Sequence, residues 1–294
     1  MSGPVMLAHL IRERLSWREL QPRIPEPDLV MDNAAQNAAF ALAGREDGIL
    51  GFVYLYHALQ VTALVRPGDR VLDLGCGPAN QLAQIARLNP EARFTGLDAS
   101  ARMLESARET IQRRALPNIE LRQGDMTTLA GIDDAAFDCV ISTVALHHLP
   151  DCAALAAAMR AARRVLKAGG GVYFVDFGRL KHLATQKFFS EDRRSEQPEA
   201  MTQDYYHSLR AAFSLDELWQ AAHLAFGADI TRHATALAPF MAIIGSAGRR
   251  ELDESTRQIG RAMYAAMTKS QQKDFRLYAR WLKAGGLDLP FPLH

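Results

Sequence analysis

The feature that most restricts the fold is a regular alternation of short apolar runs and helical segments between residues 70 and 177. Helices are predicted at 80–88, 100–114 and 151–166, and only a short turn at about 127–136. Parallel strands joined by a right-handed crossover need a helix-length connection, so the alternation predicts a parallel sheet in an α/β fold. The predicted strands, apolar along most of their length as in sheets covered on both faces, are 70–74, 93–97, 119–123, 137–143 and 171–177.

Helical segments flank this alternation. Residues 1–66 are predicted to form a helical N-terminal cap, interrupted by the three prolines of "QPRIPEPDLV", and 249–294 a helical C-terminal extension. The unit between them, 67–248, is predicted to hold the sheet and to end in two late strands. Its insert at about 179–213 is polar and aromatic without a clear period, which favours a lid over a ligand.

Composition argues against several classes of protein. The 294 residues are 48% hydrophobic with a net charge of +1, which does not favour a nucleic-acid surface. Three widely spaced cysteines and the lack of CxxC or HxxxH spacing predict a reducing compartment and no metal site. No apolar run approaches the length of a membrane span, and charges come too early for a signal peptide, so we expect a soluble, cytoplasmic protein without a membrane partner.

The turn after the first predicted strand carries the most informative motif, "VLDLGCGPAN". Gly75 and Gly77 let the backbone approach a ligand that a Cβ would push away. The following helix offers free N–H groups and a positive dipole end, as in dinucleotide sites. Asp73, however, would repel a pyrophosphate, so the motif indicates a ligand that carries an ammonium group.

Two more acids end the next two predicted strands. Asp98, in "GLDAS", can accept hydrogen bonds from both ribose hydroxyls of a nucleoside. Asp125, in "QGDM", can accept an adenine amino group, with Met126 beside the ring. Each acid alone is more typical of a turn or a helix cap than of a binding site. Three acids at the carboxyl ends of successive parallel strands predict a nucleoside site there.

These motifs, with "FDCVISTVALHHLPD" and "ARRVLKAGGGVYFVDF", resemble the class I S-adenosylmethionine-dependent methyltransferases, most similarly those of the small-molecule, natural-product branch. The resemblance covers a little over a third of the chain strongly. It implies a doubly wound, mostly parallel, seven-stranded Rossmann-like sheet with a reversed final hairpin. One departure is Ala79, where many members have a third glycine.

The resemblance also implies roles for cofactor-binding residues, with S-adenosylmethionine as cofactor and S-adenosylhomocysteine as product. Asp98 would hold the ribose and Asp125 the adenine amino group. Ala99 and Met103 would flank the adenine ring, with Met126 near its edge. The methionine end would be held by the glycine turn and the end of the fourth strand, through Asp73, Gly75, Cys76, Gly77, Asn80 and Ser142.

The acceptor side is predicted from the loop "STVALHHLPD", which lacks the Pro-Pro-aromatic motif of enzymes that methylate nucleobase amines. By resemblance to O-methyltransferases of sugars and polyketides, His147 or His148 would act as the base, oriented by Asp176. The helical additions would supply the acceptor pocket. Its candidate residues are Tyr54, His57, Tyr205, Tyr206 and His207.

Together these features predict a methyltransferase that acts on a small organic molecule, with oxygen favoured over nitrogen or carbon, in secondary metabolism. Alternatives left open are another use of S-adenosylmethionine, a non-catalytic cofactor-binding scaffold or regulator, and a methyltransferase of protein or RNA. Nucleic acid is not expected as a partner, and a homodimer is left open.

Overall fold

The computed structural model describes residues 3–293, so the ends of the predicted cap and extension, at residues 1, 2 and 294, lie outside it. One seven-stranded sheet organises this part of the chain, in the order β3-β2-β1-β4-β5-β7-β6. The strands are β1 Arg70–Leu74, β2 Arg93–Asp98, β3 Ile119–Gln123, β4 Phe137–Thr143, β5 Leu166–Phe177, β6 Ile230–Ala234 and β7 Met241–Ser246.

The sheet is mixed. β1 to β5 pair in parallel, as the alternation predicts, whereas β7 lies antiparallel between β5 and β6. The α/β class and the seven strands are therefore confirmed, and the antiparallel edge follows from the short connection between β6 and β7, which leaves no room for a crossover helix. β5 starts at Leu166, inside the segment predicted as the end of a helix.

Helices cover both faces of the sheet. They are α1 Gly3–Leu15, α2 Ala34–Ala43, α3 Gly51–Thr62, α4 Asn80–Leu88, α5 Ala101–Arg114, α6 Cys152–Val165, α7 Leu183–Glu191, α8 Glu199–Ala211, α9 Leu215–Phe226, α10 Glu254–Ala265 and α11 Lys269–Ala284. α7 and α8 form the insert after β5. Apolar side chains of α3, α4 and α11 pack on one face, and those of α6 and α9 on the other.

Residues 16–33 have no regular secondary structure and cross the carboxyl edge of the sheet; we call them the strap. Arg23 anchors the strap, because its guanidinium donates hydrogen bonds to the carbonyls of Ala211, at 2.7 Å, and His147, at 2.9 Å. The guanidinium also lies 4.0 Å from the ring centroid of Phe213. The strap is thus tied to both the insert and the loop after β4.

Candidate functional site

The glycine turn after β1 adopts a left-handed backbone at both glycines. Gly75 and Gly77 have φ of 72° and 50°. A Cβ on Gly75 would lie 2.4 Å from the Cβ of Ala145, in the loop after β4. Ala79 accepts a φ of 57° as the residue before α4, which is how the turn closes without a third glycine. Because of the contact with Ala145, no side chain larger than hydrogen fits at Gly75.

Asp98 binds the glycine turn to the end of β2. Its Oδ2 accepts a hydrogen bond from the Gly77 N–H at 2.8 Å, and its Oδ1 accepts one from the Ser100 N–H at 2.9 Å. Burial raises the pKa of this carboxyl, against the effect of both hydrogen bonds. A carboxylate offers about four lone-pair positions, so two remain for the two hydroxyls of a ribose.

Asp73 is buried behind the turn, with 5% of its surface exposed. Burial, and then the neighbouring charge of Asp98, raises its pKa to about 7. A buried carboxylate beside the half-buried Asp98 favours a cation, because a positive group would stabilise the ionised form of both. An ammonium or sulfonium ligand meets that requirement.

Four other predicted cofactor residues follow β2 and β3 in the chain. Ala99, Met103 and Met126 line the cavity described below, as a flat apolar ring requires. Asp125 is exposed, and its carboxylate accepts hydrogen bonds from the N–H and hydroxyl of Thr127, at 2.7 and 2.8 Å. Asp125 therefore caps its own turn, and its contact with adenine stays a prediction.

Three predicted cofactor residues have structural partners instead of facing the cavity. Ser142 donates its hydroxyl to the Leu74 carbonyl at 2.7 Å and thereby joins the ends of β4 and β1. Asn80 donates its amide to the Ala41 carbonyl at 2.9 Å, which ties α4 to α2. Cys76 is buried in the core under the turn. They shape the turn from behind.

One cavity extends from the glycine turn to the helical additions. It is bounded by Gly75, Gly77 and Asp98 at one end and by α7, α8 and α11 at the other. Its wall is rich in aromatic side chains, namely Phe40, Phe52, Tyr54, Phe177, Phe189, Tyr205, Phe240, Tyr278 and Trp281. A concave, apolar site with a few polar groups is typical of small-molecule binding.

A His–Asp pair lies at the cavity, with His147 on its wall. His147, in the 3₁₀ turn Leu146–His148, donates from Nδ1 to Asp176 Oδ1 at 2.7 Å and from its backbone N–H to Oδ2 at 2.9 Å. Both side chains are 2% exposed. Burial alone would lower the pKa of His147, but Asp176, supported by Glu26, raises it above its usual value. With Nδ1 protonated, Nε2 is the nitrogen that can accept a proton.

His148 has a different environment. Its ring lies 4.4 Å from that of His147, between centroids. Burial, reinforced by the charge of His147, lowers its pKa to about 3, so the ring is neutral at physiological pH. Its Nδ1 is buried and makes no hydrogen bond to the residues that the structure describes.

Sequence reasoning missed two acids at this point. Glu26, from the strap, accepts a hydrogen bond from the Ser208 hydroxyl at 2.8 Å, and its Oε1 lies 3.9 Å from His147 Nε2. Burial raises the pKa of Glu26, and burial together with Glu26 raises that of Asp204 to about 6. An acid between two prolines of an irregular segment carries no sequence signal for such a position. Only the path of the strap brings Glu26 to the histidines.

The predicted acceptor residues are separated by the structure. Tyr54 and Tyr205 line the cavity. His57, by contrast, belongs to the core, since its ring nitrogens lie 2.6 Å from the hydroxyls of Tyr173 and Tyr278, and burial lowers its pKa to about 3. His57 lies on an apolar helix before β1, and its side chain points into the core instead of the cavity.

Tyr206 and His207 also lie off the cavity wall, although they neighbour Tyr205 in α8. Tyr206 packs beneath Arg210, whose guanidinium lies 5.5 Å from the ring centroid. Successive residues of a helix point about 100° apart, so one helix face cannot present all three residues to the same cavity.

Comparison with known proteins agrees with this geometry. A family model described as a methyltransferase domain matches residues 66–234, more than half of the chain. The chain belongs to the class I S-adenosylmethionine-dependent methyltransferases. S-adenosylmethionine is accordingly the cofactor that this family membership implies.

Curated relatives of this methyltransferase include two named for their acceptors. A trans-aconitate 2-methyltransferase of Deinococcus radiodurans is 43% identical over 32% of this chain and 33% of its own length. A demethylmenaquinone methyltransferase of Listeria welshimeri is 36% identical over 38% of this chain and 46% of its own length. The matches thus span less than half of each relative.

Among solved structures, that of an S-adenosylmethionine-dependent methyltransferase from Methanococcus maripaludis has a TM-score of 0.55. It is 20% identical and covers 78% of this chain and 99% of that protein. At this identity the likeness concerns the fold. Separately, none of the helices within residues 3–293 combines the length and hydrophobicity needed to cross a bilayer.

Proposed function

We propose that this protein transfers the methyl group of S-adenosylmethionine to an oxygen of a small, largely apolar organic acceptor, as in secondary metabolism. The observation that carries the proposal is the single cavity shared by the donor-binding turn, with Gly75 and Asp98, and the His147–Asp176 pair. A methyl donor at the turn and an acceptor among the aromatic residues would meet beside His147.

The wall of the cavity favours one acceptor class over another. The ionisable side chains on it include Asp192 and Asp204, and Arg193 is its one Arg or Lys among the residues that the structure describes. Arg193 is already ion-paired with Asp274. A tricarboxylate such as trans-aconitate would therefore meet carboxylates, the buried Asp204 among them, without a free cationic partner. An aromatic hydroxyl compound, closer to demethylmenaquinone, matches the apolar wall.

Alignment supplies most of the catalysis in this mechanism. Transfer from a sulfonium is an in-line displacement, and holding acceptor and donor in line contributes about 7–11 kcal/mol. The acceptor hydroxyl would give its proton to Nε2 of His147 while its oxygen takes the methyl group and the C–S bond breaks. Asp176 would stabilise the imidazolium that forms, and general-base catalysis of this kind contributes roughly 10²–10⁴-fold.

The flanking helices complete the proposal. Residues 67–248, with the doubly wound, Rossmann-like part of the sheet, would bind the donor. Segments 1–66 and 249–294 would close the acceptor side, with 179–213 as a lid. Free thiols at Cys76, Cys139 and Cys152 support a reducing, cytoplasmic location.

The test is a panel of phenols, hydroquinones and polycarboxylates incubated with methyl-labelled donor, followed by kinetics of His147→Ala and Asp176→Asn. We expect a hydroquinone or phenol to be methylated, with kcat reduced roughly 10²–10⁴-fold in His147→Ala and donor affinity nearly unchanged. The wild-type rate should rise with pH through the raised pKa of His147. His223→Ala, on an exposed face of α9, is the matched control.

Two outcomes would contradict the proposal. One is transfer to polycarboxylates and to none of the phenols. The other is a wild-type rate in both His147→Ala and Asp176→Asn, which would remove the pair from the reaction.

A further inference from the structure

Three side chains with metal-ligating atoms converge at the junction of the strap and the loop after β4. One ligand atom each from Glu26, His147 and His148 lies within 4.8 Å of the others. Glu26 Oε1 and His147 Nε2 are 3.9 Å apart. Two ligands held at about 2.1 Å by one tetrahedral ion are about 3.4 Å apart, so each pair of ligand atoms must close by at most about 1.4 Å for all three to reach one ion.

The surroundings of the three side chains match those of a metal site. Ligating histidines usually donate their other ring N–H to a carboxylate, which fixes the ring and strengthens the ligand. His147 does so with Asp176, leaving Nε2 toward Glu26. Glu26 is held by the Ser208 hydroxyl. His148 contributes a neutral ring whose buried Nδ1 lacks a hydrogen-bond partner within the described chain.

The charge balance of this pocket favours a cation. Three buried carboxylates, those of Glu26, Asp176 and Asp204, act on His147. His147 can contribute one positive charge at most. A divalent ion would offset the remaining negative charge. The neutral imidazole of His148 favours a transition metal over an ammonium group, because its nitrogen lone pair can coordinate a metal.

We propose that Glu26, His147 and His148 bind one divalent transition-metal ion, of the class of Zn²⁺ or Fe²⁺, with open positions facing the cavity. Two histidines and one carboxylate that leave positions open are the ligand set of sites where a small oxygen ligand joins the ion. With the ion bound, the Nε2 lone pair of His147 is engaged and no longer takes the acceptor proton; an acceptor hydroxyl bound to the ion would instead release its proton to water. The inference rests on the proposed function for its acceptor and replaces His147 by the ion as the group that activates the acceptor hydroxyl. Metal binding is measured without donor or acceptor, so its failure is distinguishable from a failure of methyl transfer.

The experiment uses the full chain, without an affinity tag, stripped with a chelator and titrated with Co²⁺ in the absence of donor and acceptor. We expect one Co²⁺ per chain, with visible d–d bands of a site with nitrogen and oxygen ligands, and displacement by Zn²⁺. Glu26→Gln and His148→Gln should each weaken binding at least tenfold. Asp176→Asn, behind His147, should weaken it about 10–100-fold. His223→Gln is the matched surface control.

Circular dichroism and thermal unfolding identify variants that fail to fold, and His148→Gln carries the test if Glu26→Gln is one of them. The proposal is overturned if the stripped chain binds no Co²⁺. It is equally overturned if binding survives the site variants unchanged, or if His223→Gln loses as much affinity as they do, which would mean adventitious binding only.

Discussion

Asp98→Asn probes the proposed donor site by replacing one carboxylate oxygen with an amide NH₂ at nearly constant size. The wild-type carboxylate accepts from the Gly77 and Ser100 N–H groups and keeps two lone pairs for two ribose hydroxyls. The amide has one oxygen, and its NH₂ would face either a backbone N–H or a ribose hydroxyl. One ribose bond to a charged acceptor is worth about 1.5–3 kcal/mol, so we expect affinity to fall roughly 10–150-fold.

Calorimetry with S-adenosylhomocysteine measures this loss, and Asp98→Ala, which loses both ribose bonds, should cost about 3–6 kcal/mol, or roughly 10²–10⁴-fold. Urea unfolding should show only the cost of unpaired backbone donors, about 1–3 kcal/mol. Asp229→Asn, at an exposed turn, serves as the control for removing a carboxylate charge. Affinity within threefold of wild type in Asp98→Asn would refute the assignment of the free lone pairs to ribose.

Two further predictions concern the frame of the site. His57 has a pKa of about 3 when folded against about 6.5 when unfolded, so the unfolded chain binds the extra proton and stability falls as pH drops below 6.5. By pH 5 the loss from this group is about 2 kcal/mol; urea unfolding should show it in wild type and not in His57→Gln, and equal slopes would contradict it. Gly75→Ala should cost about 2–5 kcal/mol, from its φ of 72° and the contact with Ala145, and Ala145→Gly in that background should restore part of the stability; no recovery would place the strain elsewhere.

Local sequence was sufficient for strands β1 to β4 and for the placement of the glycine turn and Asp98 at one edge of the sheet. The apolar runs matched β1 to β4 to within one residue, because the residues next to each strand in the sequence encode the turn or helix start that bounds it. The positions of Gly75, Gly77 and Asp98 followed for the same reason. Residues at the carboxyl ends of adjacent parallel strands share one edge whatever the rest of the chain does.

The acceptor end was decided by tertiary structure. His57 and Tyr54 lie three residues apart on α3, yet His57 is hydrogen-bonded in the core and Tyr54 lines the cavity. Because α3 is apolar on all sides, the neighbouring helices α4 and α11 determine which side of it is covered. Glu26 reaches His147 only through the path of a strap that has no periodicity. The periodicity of apolar residues predicts which face of a helix or strand packs on the sheet. Contacts between distant segments depend on tertiary packing, which no local pattern encodes.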